Sequence, residues 1–166
     1  GTGTGTITLG GNVGAAAGSA SLIKSVTLVG DTAVKLSGDI TTSSTAGAID
    51  ITGPVTLGTA ITIDTDHTND GDITFETSGT TINGTNTLTM TSGSGDIALQ
   101  GAIGADAILT ALSINATDGA TGTIEIANIG DAPAIGFVSA ELTAEASSTA
   151  TVVVTNDTPS FGTITV

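Results

Sequence analysis

The chain gathers groups able to bind a cation most densely in the run Asp64-Thr65-Asp66-His67-Thr68-Asn69-Asp70-Gly71-Asp72. Oxygen-bearing side chains at alternating positions, followed by a glycine turn, are what a Ca²⁺ loop supplies. Asp64, Asp66, Asp70 and Asp72 are therefore the candidate metal ligands, and Ca²⁺ is the one cofactor the sequence suggests. The spacing differs from the EF-hand pattern, and no glutamate closes the run at the required distance. The competing reading is a solvated turn, in which Asp, Asn and Gly serve as turn formers. His67, the single histidine, reads as a surface residue of that turn.

Catalysis finds little support in the side chains. Paired carboxylates could serve glycoside hydrolysis, but a site for an anionic sugar also needs a cation to hold it. There is no arginine, and the two cations, Lys24 and Lys35, lie far in sequence from the acidic run. The absence of cysteine removes thiolate nucleophiles, thiolate metal sites and disulfides. Gly-rich stretches near residues 3 and 93 lack the lysine and the following helix of a phosphate loop. The expectation is a protein that is not an enzyme and has no catalytic residue.

Charge narrows the partners. Two basic against 16 acidic residues give a net charge of −14. Phosphate backbones need a basic footprint, so nucleic acid is not an expected partner, nor is an anionic membrane surface. No stretch is long and apolar enough to cross a bilayer as a helix, so membrane insertion is not expected. The remaining polar residues are Thr, Ser, Asn and Gly, a surface more like that of extracellular polymers than of cytosolic enzymes.

The elements that must carry these residues are announced by a recurring phrase: Gly, a small or acidic residue, Ile, any residue, then an apolar one. It occurs at Gly5–Leu9, Gly47–Ile51, Gly71–Phe75, Gly95–Leu99 and Gly122–Ile126. The last four copies start 24, 24 and 27 residues apart (71−47, 95−71, 122−95). A fixed period in this range marks a stacked-repeat architecture. A longer match pairs residues 3–14 with 93–104, and a second pairs 22–28 with 108–114. Apolar residues alternate in short runs such as Ile61/Ile63, Ile73/Phe75 and Leu88/Met90, the period of a strand. The core hydrophobes are Ile, Val, Leu and Ala, with three Phe and no Tyr or Trp, which suits narrow layers of recurring shape. Helical periodicity is weak, with at most a turn in Ala15–Ala20 and in Ala140–Ala146.

The fold class read from this is all-β: a parallel β-helix, or solenoid, of roughly 24-residue coils. In residues 71–94 the three strands of one coil fall at Ile73/Phe75, Thr81/Ile82 and Leu88/Met90. The alternative is an antiparallel β-sandwich, which also uses short strands and frequent turns. The chain reads as one β-repeat domain over 1–166. Residues 137–166 fit the period less well and read as a variant coil, a cap or a subunit-junction segment. Three sequons, at Asn83, Asn115 and Asn156, are compatible with a surface position.

With the repeats laid out, the chain resembles the β-strand-repeat regions of giant bacterial surface proteins, the filamentous-haemagglutinin-like and autotransporter-like adhesins. The resemblance rests on Gly71–Phe75, Leu88–Gly101 and Ala111–Ala116 and covers about residues 1–136. It implies a right-handed parallel β-helix shaft, exported and displayed at the cell surface, adhesive or structural and not catalytic. A weaker likeness links Gly3–Leu9 and the following Gly-Gly-Asn-Val to the N-terminal donor strand of fimbrial subunits. The function expected is thus a structural subunit or shaft segment of an extracellular fibre. A carbohydrate- or surface-binding module is the alternative, and a β-helical polysaccharide-active enzyme is a third reading.

Open sheet edges recruit further strands, so the partners expected are copies of the chain in a head-to-tail homopolymer, or flanking repeats of a longer chain. The candidate junction residues are Gly1, Thr2, Gly3, Thr4, Gly5, Thr6, Ile7, Thr8 and Leu9 at one end. At the other they are Gly162, Thr163, Ile164, Thr165 and Val166.

Overall fold

The computed structural model describes residues 5–14, 23–42, 47–67, 70–76, 80–116, 123–129, 142–146, 152–154 and 164–165. The strands are β1 (Thr6–Leu9), β2 (Val26–Val29), β3 (Ala33–Leu36), β4 (Ile40–Thr41), β5 (Ile49–Thr52), β6 (Val55–Leu57), β7 (Ile61–Asp64) and β8 (Ile73–Phe75). They continue as β9 (Thr81–Asn83), β10 (Thr87–Thr91), β11 (Ile97–Ile103), β12 (Ala111–Ala116), β13 (Ile124–Ile129), β14 (Leu142–Ala146), β15 (Val152–Val154) and β16 (Ile164–Thr165). No helix occurs among the described residues.

Every strand pairing is parallel, and the pairings sort into three faces of one solenoid. On the first face Val26, Ile49, Ile73, Ile97, Ile124 and Val152 stand in register. On the second, Ile7, Val34, Val55, Ile82, Ile103 and Ile129 do so. On the third, Val13, Ile40, Ile63, Met90, Ile114 and Ala144 form the row. An antiparallel sandwich is excluded, because its neighbours would run in opposite directions. The rows step by 24 residues through the middle of the first face (Ile49 to Ile73 to Ile97).

Alternation explains why each short run becomes a strand. In β5, β7 and β8 the Ile or Phe positions are buried and the intervening Thr or Asp positions are not. Successive side chains of a strand point to opposite sides. The inward set therefore forms continuous apolar rows, and the core residues from Val34 to Ile126 are at most 2% exposed. Phe75 is the one aromatic among the described residues and is fully buried. Outward, Thr62, Thr89 and Ser113 line up on the third face, where hydroxyls on adjacent strands support one another.

Corners set the glycine positions. Gly47, Gly71 and Gly95 open the recurring phrase and stack at the corner that leads into the first face. A Cβ on Gly71 would lie 2.5 Å from the Gly47 carbonyl carbon, and one on Gly95 2.3 Å from the Gly71 oxygen. No real Cβ comes so close to backbone, so the phrase starts with glycine because coils touch there. Just before that corner a second column of small residues is buried: Thr42, Thr65 and Ser92. Their hydroxyls donate to the carbonyls of Gly47, Gly71 and Gly95 at 2.5, 2.6 and 2.7 Å. Each hydroxyl satisfies a carbonyl that the turn takes out of the ladder. Thr65→Val keeps the shape and removes the donor, leaving that carbonyl unmatched. The expected cost is about 1–3 kcal/mol in urea unfolding.

Two expectations change. The first copy of the phrase, Gly5–Leu9, supplies β1, which pairs with β3 on the second face, whereas the other copies lie on the first. The longer match of 3–14 with 93–104 thus joins segments from different faces. Gly5 and Gly47 are 42 residues apart (47−5), which is no whole number of 24-residue coils. The segment 142–146 is the strand β14 rather than a helical turn, while Ala15–Ala20 lie outside the described residues. Within 137–166, β14, β15 and β16 extend the ladders of β12, β13 and β14 in register.

Candidate functional site

The acidic run spans the corner between the third and first faces. Asp64 ends β7, and its Oδ1 accepts the Asp66 N–H at 3.0 Å. Asp70 is half-buried. Its Oδ1 accepts the His67 N–H at 3.0 Å, and its Oδ2 accepts both the Ser94 N–H at 2.8 Å and the Ser94 hydroxyl at 2.6 Å. Asp72 is exposed, and its Oδ1 accepts the Asp96 N–H at 2.9 Å. The carboxylates of Asp64, Asp70 and Asp72 thus each accept N–H donors from the protein. Among the described residues no group of three or more His, Cys, Asp or Glu side chains is arranged to hold a metal ion. Thr68 and Asn69, in the middle of the run, lie outside the described residues.

His67 is half-buried rather than freely exposed, and its Nε2 is buried with no hydrogen-bond partner among the described residues.

These acceptors belong to a pattern that recurs between coils from Asn12 to Thr123 among the described residues. A side-chain oxygen of one coil takes an N–H of the next. Asn12 Oδ1 accepts from Asp39 N at 3.0 Å, and Asp39 Oδ1 from Thr62 N at 2.8 Å. Asp72 accepts from Asp96, and Asp96 Oδ1 in turn accepts from Thr123 N at 2.7 Å. Asn83 Oδ1 accepts from Asp106 N at 2.9 Å and Ala107 N at 3.2 Å. At a corner, or where a strand outruns its neighbour as β7 does β4 at Thr62, an N–H has no carbonyl directly above or below it. A short acidic or amide side chain one coil away replaces that carbonyl. Asp39, Asp70, Asp72 and Asp96 thus serve as rungs between coils, together with the amides of Asn12 and Asn83. The types of Asn12, Asp39, Asp96 and Asn83 alone mark only turns. The repeated Gly-Asp-Ile at 71–73 and 95–97 is its sequence signal, since it places the two aspartates one coil apart.

The surroundings of Asp70 act on its protonation in opposing ways. Burial alone would raise its pKa. The Ser94 hydroxyl and N–H, the His67 N–H and the nearby charge of His67 outweigh this, and the pKa lies below the ordinary 3.8. A carboxylate with a folded pKa below its unfolded value adds stability above the unfolded value. That contribution disappears as pH falls through the folded value. Asp70→Asn keeps the shape and removes the titration. Its cost is expected to be about 1 kcal/mol at neutral pH, given partial exposure, and to shrink towards zero below the ordinary carboxylate range. Urea unfolding of both chains at neutral and strongly acidic pH measures it. An equal gap at both pH values would contradict the assignment.

One sequon departs from the surface expectation. Asn83 is buried, and its Nδ2 donates to Thr81 Oγ1 at 3.2 Å and Asp106 Oδ2 at 3.3 Å. A glycan cannot be attached there without opening the fold. Asn115 lies in β12, and Asn156 is outside the described residues.

Of the candidate junction residues, Thr6–Leu9 form β1, which among the described strands pairs with β3 alone and lies at the edge of the second face. Ile164 and Thr165 form β16, the terminal strand of the third face. Gly5 is described and exposed, whereas Gly1–Thr4, Gly162, Thr163 and Val166 lie outside the described residues. No family model matches this sequence, and neither a curated protein nor a solved structure matches it.

Proposed function

We propose that this chain is a non-catalytic shaft segment of an extracellular bacterial fibre or adhesin, joined along its axis to further coils. The observation that carries the reading is the continuity of the stack. Apolar rows and backbone ladders run from coil to coil, and carboxylates that could have formed a reaction centre act as coil-to-coil acceptors. Such an array is stiff along its axis, because each coil contacts only its neighbours and every layer repeats the same bonds. The lack of Arg, Cys, Tyr and Trp agrees with a spacer rather than a site for substrate or sugar. The acidic excess keeps neighbouring shafts apart. The axial partners are flanking repeats of a longer chain or copies of this one.

Immunogold electron microscopy of intact producing cells, with antibody raised against the purified chain, tests this. Gold along filaments outside the cell is the expected result. Gold appearing only after permeabilisation would overturn the reading.

A further inference from the structure

We propose that Lys24 is an axial stop, closing the β2 edge of the solenoid to another coil stacked in the regular way. The proposal goes beyond the shaft reading, since it stands on corner geometry alone. Val26 pairs with Ile49, so counting back two residues sets Lys24 opposite Gly47. Lys24 is therefore the first member of the column that continues with Gly47, Gly71 and Gly95.

The column has a direction. A Cβ on Gly47 would lie 2.5 Å from the Lys24 carbonyl oxygen, one on Gly71 2.5 Å from Gly47, and one on Gly95 2.3 Å from Gly71. At each level the missing side chain would point at the coil below, on the N-terminal side. Lys24 has that side chain, and it is exposed. β2 pairs with β5 alone, and no described strand lies on its other side. A coil added there with the same corner would meet the Lys24 Cβ at the distance that Gly47, Gly71 and Gly95 avoid. The ammonium adds a second obstacle, because a charge on an edge strand must be desolvated before another strand can pair with it.

The edge needs such protection. Val29, at the end of β2, is 54% exposed, and Leu28 and Ile23 are only partly buried. Without a stop, these apolar residues and the unpaired backbone of β2 would present a template for another chain. The stop therefore acts against a copy of this chain stacked below β2 in the regular way. Between the two partners left open above, it disfavours an in-register homopolymer.

Sedimentation velocity on the full chain over a range of concentrations tests the stop, using wild type, Lys24→Ala and Lys24→Gly. Lys24→Ala keeps the Cβ and removes the charge, whereas Lys24→Gly removes both. Wild type and Lys24→Ala are expected to stay monomeric. Lys24→Gly is expected to raise the weight-average mass about twofold or more as copies stack. Lys24→Gly sedimenting like Lys24→Ala would overturn the proposal, as would wild type stacking through β2. Gly47→Ala gives a second arm that does not depend on association. It should lose stability in urea while Lys24→Gly keeps it, and a neutral Gly47→Ala would also overturn the stop. The two readings fail separately: extracellular gold with an inert Lys24→Gly removes the stop and leaves the shaft. Intracellular gold with an associating Lys24→Gly does the reverse.

Discussion

Gly53→Ala should destabilise the protein by about 3 kcal/mol or more, adding overpacking to backbone strain. Gly53 lies between β5 and β6, at the corner from the first face to the second. Its φ is +113°, a conformation that side chains disfavour. A Cβ there would lie 1.9 Å from the Gly30 carbonyl oxygen, one coil below. The clash is with backbone, so no rotamer change relieves it, and the coils would have to separate. Separation would also stretch the bond from the Gly30 N–H to the Thr52 carbonyl, now 3.0 Å. Gly10 is the internal control, because a Cβ there has nothing within 4 Å. Gly10→Ala should change stability by less than about 0.5 kcal/mol. Urea unfolding of the two variants checks the contrast. Equal effects would mean that the corners are looser than this stacking requires.

Phe75→Ala should cost about 3–5 kcal/mol, the range for deleting a buried aromatic. Phe75 is fully buried in the row of Leu28, Ile51, Leu99 and Ile126. Its neighbours in the row above and below are aliphatic and fixed by the ladder spacing of about 4.8 Å. They cannot close around the missing ring without breaking register, so the cavity persists. Phe75→Leu restores the shape used by the rest of the row and should recover most of the loss. A thermal or urea melt compares the three chains. A loss below about 1 kcal/mol for Phe75→Ala would show that the row relaxes, contrary to a rigid stack.

Period and alternation are local properties, and they were enough to read a parallel stack of 24-residue coils from the sequence. Ile73/Phe75, Ile82 and Leu88/Met90 supply three faces of one coil as their spacing predicts. The face on which a strand lies is not local, because it depends on every residue spent at the corners before it. The phrase at Gly5–Leu9 satisfies the same alternation as the later copies, yet it lies on the second face. Side-chain roles were harder still. Asp70 and Asp72 read as candidate ligands along the chain, and their hydrogen-bond partners, Ser94 and Asp96, are not legible there because they are 24 residues away (94−70, 96−72). Asn83 looks like a turn former, and it is buried because Asp106 and Ala107 of the next coil need its amide oxygen. Lys24 looks like an isolated surface charge until the register places it in a column of glycines.

The stack itself is tested most directly by a distance along its axis. Thr27 and Glu125 point outward on the first face and are linked by the register Thr27, Asp50, Thr74, Ala98, Glu125. Spin labels on Thr27→Cys and Glu125→Cys report their separation by double electron–electron resonance, and the chain has no other cysteine to interfere. Four parallel steps predict a narrow distribution near about 19 Å between the backbones, widened by the label arms. A separation well beyond about 30 Å, or one without a defined peak, would contradict the parallel stack on which the account depends.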